Sequence, residues 1–136
     1  MSKKYMLDSN ICIALFRGDM NVRDKLNAIG KENCFILDLT KYEILVGAEI
    51  RHLKHNDNEM QKVKAFLEMI NIMPSAPYYE YAAKENAYLH SIGKKNGDFI
   101  DLVIGCASVV DNMIMVTNNV KHFGNIRNIR IESWMD

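Results

Sequence analysis

The sequence predicts an α/β fold, a three-layer α/β/α sandwich with a mostly parallel sheet of four to five strands. Two observations predict it. Short apolar runs alternate with longer stretches of helical character along most of the chain, and strands that are apolar throughout are typical of a parallel sheet covered on both faces. A length of 136 residues with 49% hydrophobic content fits one domain, residues 1–136, with a substantial core.

The predicted strands are five short apolar runs bounded by polar or turn-forming residues. In chain order they are KYML at 4–7, CFIL at 34–37, NIM at 71–73, MIMVT at 113–117 and IRIES at 129–133. The third run ends at Pro74, which cannot donate a hydrogen bond to a neighbouring strand.

Helical segments fill the intervals between these runs. They are expected at 10–18, 20–30, 40–55, 58–70, 77–95 and 98–112, with a turn or short helix at 118–124. Thr40 and Glu43 have the spacing of a capping box, which predicts Thr40 as the N-cap of its helix. Asp98 and Asp101 have the same spacing, and Asn10 is a further candidate cap.

Composition and charge exclude several functional classes. Basic and acidic residues number 17 each, so the formal net charge is zero and does not mark the chain as a polycation that binds nucleic acid. No apolar run approaches the roughly 18 residues of a membrane helix, and the first residues lack a signal-peptide pattern. The four histidines form no metal-binding motif. We therefore expect a soluble, cytoplasmic protein.

Oxygen-bearing side chains follow several of the predicted strands. Asp8 follows the first strand, Glu43 lies just after the second, and Asn118 and Asn119 follow the fourth; Asp101 opens an unusually apolar helix. Functional groups in open parallel sheets gather outside the carboxyl ends of the strands. Each of these side chains could instead be a helix cap or a turn residue, and the sequence alone leaves that alternative open.

Apolar neighbours favour a metal site. Glu43 lies within YEILVGA and Asp101 within DFIDLVIGCA, and no lysine or arginine near Asp8 or Asp101 in sequence is an obvious partner for either acid. Buried acids that lie together repel each other, and a divalent cation with oxygen ligands, Mg²⁺ or Mn²⁺, removes that penalty. Such a cation suits phosphodiester hydrolysis because it lowers the pKa of a bound water and neutralises developing charge.

Four segments, in order, resemble the PIN-domain ribonucleases, and most closely the VapC toxins of prokaryotic toxin–antitoxin pairs. They are YMLDSNI, LTKYEILVGA, DFIDLVIGCA and VTNNVKHFGNI with the following ESW. The resemblance implies a metal-dependent endoribonuclease that cleaves RNA and is inhibited by a small VapB-like antitoxin. It leaves the oligomeric state open, with a homodimer among the alternatives, and names no RNA target.

The resemblance also implies roles for single residues. Asp8, Glu43 and Asp101 match the catalytic, metal-binding acids of the family. Asn119 matches a fourth position where many PIN domains have an acid, and Asp98 is a reserve ligand. The side chains expected to orient Asp8 or a bound water are Ser9, Asn10 and Thr117. The candidates for holding RNA are Arg17, Lys94, Lys95, Lys121 and Arg127.

Two other functions remain open on sequence grounds. The first is a phosphate-transferring α/β domain of the receiver or hydrolase type, which also places an Asp after its first strand. This chain has DSN where the hydrolases have D-x-D, and ESWMD where receivers have a lysine. The second is a PIN-like module that binds without catalysis, which the amide at Asn119 keeps open.

Overall fold

A computed structural model of the protein describes residues 3–55, 57–94 and 98–135. The strands are β1 Tyr5–Leu7, β2 Cys34–Leu37, β3 Asn71–Met73, β4 Ile114–Val116 and β5 Ile131–Glu132. The helices are α1 Ser9–Phe16, α2 Met20–Ile29, α3 Asp38–His55, α4 Glu59–Met69, α5 Tyr79–Ser91, α6 Phe99–Val110 and α7 Val120–Phe123. Short 3₁₀ turns at Lys31–Asn33 and Ala76–Tyr78 precede β2 and α5.

The five strands form one sheet in the order β3-β2-β1-β4-β5, and every adjacent pair is parallel. The predicted sheet is therefore confirmed. β1 lies at its centre, with Met6 opposite Phe35 of β2 on one side and Met115 of β4 on the other. Because all strands run in one direction, their carboxyl ends meet at a single edge of the sheet.

Two apolar clusters cover the faces of the sheet. Tyr5 and Leu7 of β1 pack with α1 to α4 on one face, whereas Met6 packs with α5, α6 and α7 on the other. This alternation follows from the two-residue period of a strand. The three layers are those of the predicted sandwich. In the described ranges, no helix has both the length and the apolar character that a membrane crossing requires.

The capping box predicted at Thr40 is wrong. β2 leads directly into α3, which begins at Asp38, so Thr40 lies inside the first turn and is fully buried. Its Oγ1 has no hydrogen-bond partner among the described residues. The Asp38 carboxylate instead accepts a hydrogen bond of 3.2 Å from the backbone N–H of Ser75, just beyond β3. A tertiary contact thus replaces the local cap.

Of the other candidate caps, Asp98 is present at a helix start and Asn10 is not. α1 begins at Ser9, one residue before Asn10, so Asn10 is not its N-cap. Asp98 does cap α6, since its Oδ1 accepts a hydrogen bond of 2.7 Å from the backbone N–H of Asp101. Asp19 caps α2 by accepting from the N–H of Val22 at 3.1 Å. Side-chain caps of this kind stabilise a helix by satisfying its first free N–H groups.

Close packing fixes the segment that follows β4 against α6. Gly105 faces this segment, and a Cβ built on it would lie 2.4 Å from Cδ1 of Ile126 and 3.2 Å from Cδ1 of Phe123. A larger residue at this position would require the Ile126 side chain to move. Farther along, the buried Glu85 carboxylate accepts hydrogen bonds from the backbone N–H and the guanidinium of Arg127. Packing against Gly105 and the hydrogen bonds of Arg127 to Glu85 together fix this segment on the fold.

We expect Asp19→Ala to lower the free energy of unfolding by about 1 kcal/mol, because it removes the α2 cap. Thr40→Val should leave the free energy of unfolding unchanged or raise it, because valine keeps the shape and removes a buried hydroxyl without a partner. Urea unfolding of both variants beside the unsubstituted protein measures the two effects. If Thr40→Val lowers the free energy of unfolding as much as Asp19→Ala does, Thr40 acts as a helix cap after all.

Candidate active site

The centre of the site lies where β1 and β4 end side by side. Asp8 follows β1 and Thr117 follows β4, and the backbone N–H of Asp8 donates to the carbonyl of Val116 at 3.0 Å. The Thr117 hydroxyl donates to Oδ2 of Asp8 at 2.9 Å, and the Ser9 hydroxyl donates to Oδ1 at 3.4 Å. With 3% of its surface exposed, Asp8 is fixed in orientation by both hydroxyls.

Asp101 reaches the same edge from the first turn of α6. It is 7% exposed, and its backbone N–H is tied to the Asp98 carboxylate. Asp98 was predicted as a reserve metal ligand. Its Oδ1 already accepts the hydrogen bond that caps α6, which leaves one carboxylate oxygen for a metal. A carboxylate in a helix's first turn is stabilised by the helix dipole, and this partly offsets the cost of burying Asp101.

His122 is a component of the site that the sequence analysis missed. Its Nδ1 lies 2.9 Å from Oδ2 of Asp101, and Nδ2 of Asn119 lies 3.2 Å from each ring nitrogen. His122 therefore joins the acid of α6 to the amide that follows β4. The available signal was its position three residues after Asn119 at the start of a helix, but the partner acid is 21 residues away in sequence.

Glu43 lies in the second turn of α3, on the other side of the sheet's central strands. Its Oε1 is buried and has no hydrogen-bond partner among the described residues. The pKa of Glu43 is raised to about 7, mainly by burial. A hydrogen bond from Ser9 lowers this pKa, and the negative charges of Asp101, Asp8 and Asp98 raise it. An acid with an unsatisfied buried oxygen is costly unless another group binds it.

The other two acids are perturbed in the same direction. Burial raises the pKa of Asp8, and hydrogen bonds from Thr117 and Ser9 oppose the change. The pKa of Asp101 is raised to about 6, mainly by burial and also by the charges of Asp98 and Asp8, while His122 acts to lower it. Each acid thus acts on another, and the three form one electrostatic cluster. Perturbed acids of this kind are typical of functional sites.

The donor set fits a hard divalent cation. Three carboxylates, an amide and hydroxyls supply oxygen atoms, and Glu43 Oε1 is a buried oxygen without a partner. Within the described ranges, no three His, Cys, Asp or Glu side chains are gathered tightly enough to form a complete metal-binding group. Mg²⁺ needs no such group, because it keeps several waters and uses one or two carboxylates with substrate phosphates.

The predicted RNA-binding cations lie in different surroundings. Arg17 is 3.3 Å from the buried Glu59 carboxylate, and Arg127 pairs with Glu85 at 2.9 Å and stacks on Tyr88. Lys94 and Lys121 are exposed. Lys95 lies outside the described residues. Of the five predicted cations, the two arginines are thus committed to ion pairs within the fold.

A cleft of about 600 Å³ borders the site. Asn119 lines it, together with Asn10, Asn118 and Arg17. Asn10 was expected to orient Asp8, but the described side-chain partners of Asp8 are Ser9 and Thr117. Asn10 instead lies along the cleft, one helical residue farther from the acids.

This chain is similar to known proteins over nearly its whole length. The PIN-domain family model matches residues 5–128. The curated tRNA(fMet)-specific endonuclease VapC of Shigella flexneri is 28% identical over 133 residues, covering 96% of this chain and 98% of that protein. Ribonuclease VapC2 of Rickettsia felis is 29% identical over 133 residues, covering 96% and 97%.

Solved structures give the same result. The crystal structure of VapBC2 from Rickettsia felis, bound to a DNA fragment from its promoter, has a TM-score of 0.82 at 26% identity and covers 96% of this chain and 98% of that one. DNA-bound VapBC from Salmonella typhimurium also has a TM-score of 0.82 at 26% identity, with coverage of 97% and 98%. The receiver and hydrolase alternatives are thereby replaced: the chain belongs to the PIN-domain family.

Proposed function

We propose that this protein is an endoribonuclease of the VapC type, dependent on Mg²⁺ or Mn²⁺, and the toxin of a toxin–antitoxin pair. The observation that carries the proposal is the cluster of Asp8, Glu43 and Asp101 at one edge of a parallel sheet, each with a raised pKa. PIN-family membership and relatives named as ribonucleases support it. The proposal treats residues 1–136 as one PIN-like domain.

Asp8, Glu43 and Asp101 would hold the cation, with Asn119 as a neutral fourth ligand. A cation bound there polarises the scissile phosphodiester and lowers the pKa of a bound water. Thr117 and Ser9 hold the Asp8 carboxylate in one orientation, and His122 does the same for Asp101. Fixed ligands of this kind reduce the reorganisation needed when metal and substrate bind.

RNA is the proposed substrate, and Lys94, Lys95 and Lys121 are the cations proposed to bind it. The Shigella relative is named for tRNA(fMet), so this tRNA is the first substrate to test. Arg17 and Arg127 contribute less in this proposal because Glu59 and Glu85 neutralise them. A chain with zero formal net charge should bind RNA modestly.

The decisive experiment is cleavage of RNA by purified, antitoxin-free protein. We expect cleavage of tRNA(fMet) or of single-stranded RNA with added Mg²⁺ or Mn²⁺, and none in EDTA. Cleavage that persists in EDTA would contradict the metal dependence. If RNA is bound but never cleaved with either cation, the protein is the non-catalytic PIN-like module instead.

A VapB-like antitoxin is the proposed partner, and a groove between α1 and α4 suits one of its helices. The groove measures about 300 Å³ and is lined mostly by apolar side chains, among them Leu15, Phe66 and Met69. Lys62 also lines it, and its ammonium group donates to the Phe16 carbonyl at 3.2 Å. Apolar grooves of this shape accept the apolar face of an amphipathic helix, and methionine adapts to such ligands. The solved relatives in complexes named VapBC support this partner.

Asp8→Asn and Asp101→Asn should each abolish cleavage, while Asp24→Asn, a change at an exposed acid of α2, should not. Stability should respond in the opposite direction. Because the pKa of Asp101 is raised in the folded state to about 6, the ionised form opposes folding, and the unsubstituted protein without metal should lose stability as pH rises from about 4 through about 6.

Asp101→Asn should therefore gain melting temperature relative to the unsubstituted protein at about pH 8 in EDTA, and little at about pH 4. Thermal unfolding at both pH values measures this difference. A variant that is much less stable at the higher pH would identify Asp101 as a structural group and remove it from the site.

Asn119→Asp should tighten Mn²⁺ binding by roughly tenfold, about 1.4 kcal/mol, because a fourth carboxylate adds a full negative charge. Asn118→Asp is the matched control, since it adds the same charge at the adjacent residue. Calorimetric titration of Mn²⁺ measures both. Equal changes in the two variants would indicate a general charge effect, and no change would place Asn119 outside the metal's surroundings.

Met69→Glu should weaken antitoxin binding at least tenfold, about 1.4 kcal/mol, because it introduces a charge into the apolar groove. Met69 is 39% exposed, so the change should leave the fold and RNA cleavage intact. Leu53→Glu, at a more exposed apolar residue of α3, is the control. Binding of co-expressed antitoxin is measured by calorimetry, and an equal loss in both variants would remove the groove as the docking site.

A further inference from the structure

The cleft of about 600 Å³ is continuous with the acidic site because Asn119 belongs to both. Its size falls within the range of sites that enclose small organic groups. A nucleic-acid strand whose phosphodiester lies at the acids must place a neighbouring nucleotide in or beside this cleft. The cleft's chemistry therefore bears on which part of that nucleotide is recognised.

The charged groups of the cleft are already paired. Arg17 lies 3.3 Å from the buried Glu59 carboxylate. Asp19 accepts a hydrogen bond from the N–H of Val22 as the cap of α2. Arg17 and Asp19 are the charged residues that line the cleft, so its formal charge is zero, and Arg17 is also paired with a carboxylate outside it. A phosphate group requires uncompensated positive charge, so the cleft is unsuited to the RNA backbone.

Neutral polar groups are what the cleft offers. Asn10 and Asn118 line it, and each is exposed. The side-chain Oδ1 of Asn118 accepts a long hydrogen bond, 3.4 Å, from the Ser133 hydroxyl. Each amide has two donors and an acceptor, and this combination matches the edges of nucleobases. Ile13 and Met135 provide apolar surface beside the amides.

We propose that this cleft is a nucleobase subsite, in which Asn10 and Asn118 read the edge of an unpaired base next to the scissile bond. The proposal rests on the proposed ribonuclease function and adds a specificity determinant to it. Single-stranded RNA is recognised in this way, by hydrogen bonds to the edges of bases that are splayed out of the helix.

The test is cleavage of a random-sequence single-stranded RNA pool with Mn²⁺, followed by sequencing of the product ends. The unsubstituted protein should show a base preference at one position flanking the cut of at least about fivefold. Asn118→Ala and Asn10→Ala should each reduce that preference at that position. Neither should change Mn²⁺ affinity by more than about twofold, because neither side chain binds an acid.

Asn125→Ala is the control, since Asn125 is exposed in the segment after α7 and should leave the base profile unchanged. If the unsubstituted protein cleaves nothing, the proposed function fails. If it cleaves without base preference, or the preference survives both cleft variants with folded protein by thermal unfolding, only the subsite fails. Variants that lose antitoxin binding but keep the base preference would assign the cleft to the antitoxin and overturn the subsite.

Discussion

The hydrogen bond from Thr117 to Asp8, at 2.9 Å, is the interaction on which the geometry of the site depends. It joins the first residue after β1 to the first residue after β4, two strands that pair in parallel at the centre of the sheet. Asp8 is thus held by the backbone on one side and by a hydroxyl on the other. The remaining site residues approach this fixed carboxylate from α3, α6 and α7.

The acids that could support chemistry at this site also oppose folding when they are ionised. Glu43 and Asp101 both have raised pKa values, about 7 and about 6, so their ionised forms are disfavoured in the folded protein. The two apolar clusters on the sheet faces must supply the compensating stability. Stability lost at a site in return for preorganised charge is a general property of active sites.

Most of the fold could be predicted from the sequence, because apolar strands and helices have distinct lengths and periods. All five strands were located, and the acids were expected at the edge where they lie. Thr40 was misjudged because its spacing to Glu43 satisfied a local rule, whereas the entry into α3 is set by the direct passage from β2 and by the contact of Asp38 with Ser75.

Contacts between residues that are distant in sequence could not be predicted. His122 reaches Asp101 because α7 packs on α6, where Gly105 leaves room for the side chains of Ile126 and Phe123. Likewise, the pairing of Arg127 with Glu85 spans 42 residues and is invisible to any local pattern. Residue type and position identified the three acids, whereas His122, Glu59 and Glu85 join their partners through tertiary packing.

The two ion-paired arginines have a consequence for how RNA reaches the protein. Guanidinium groups that pair with Glu59 and Glu85 displace fewer counterions from an approaching nucleic acid than unpaired ones would. The two arginines should therefore add little to the ionic-strength dependence of association, which the exposed lysines proposed to bind RNA would set instead. Encounters that end in binding are then selected at short range, by fit to the site, and discrimination among RNAs resides in the lifetime of the complex.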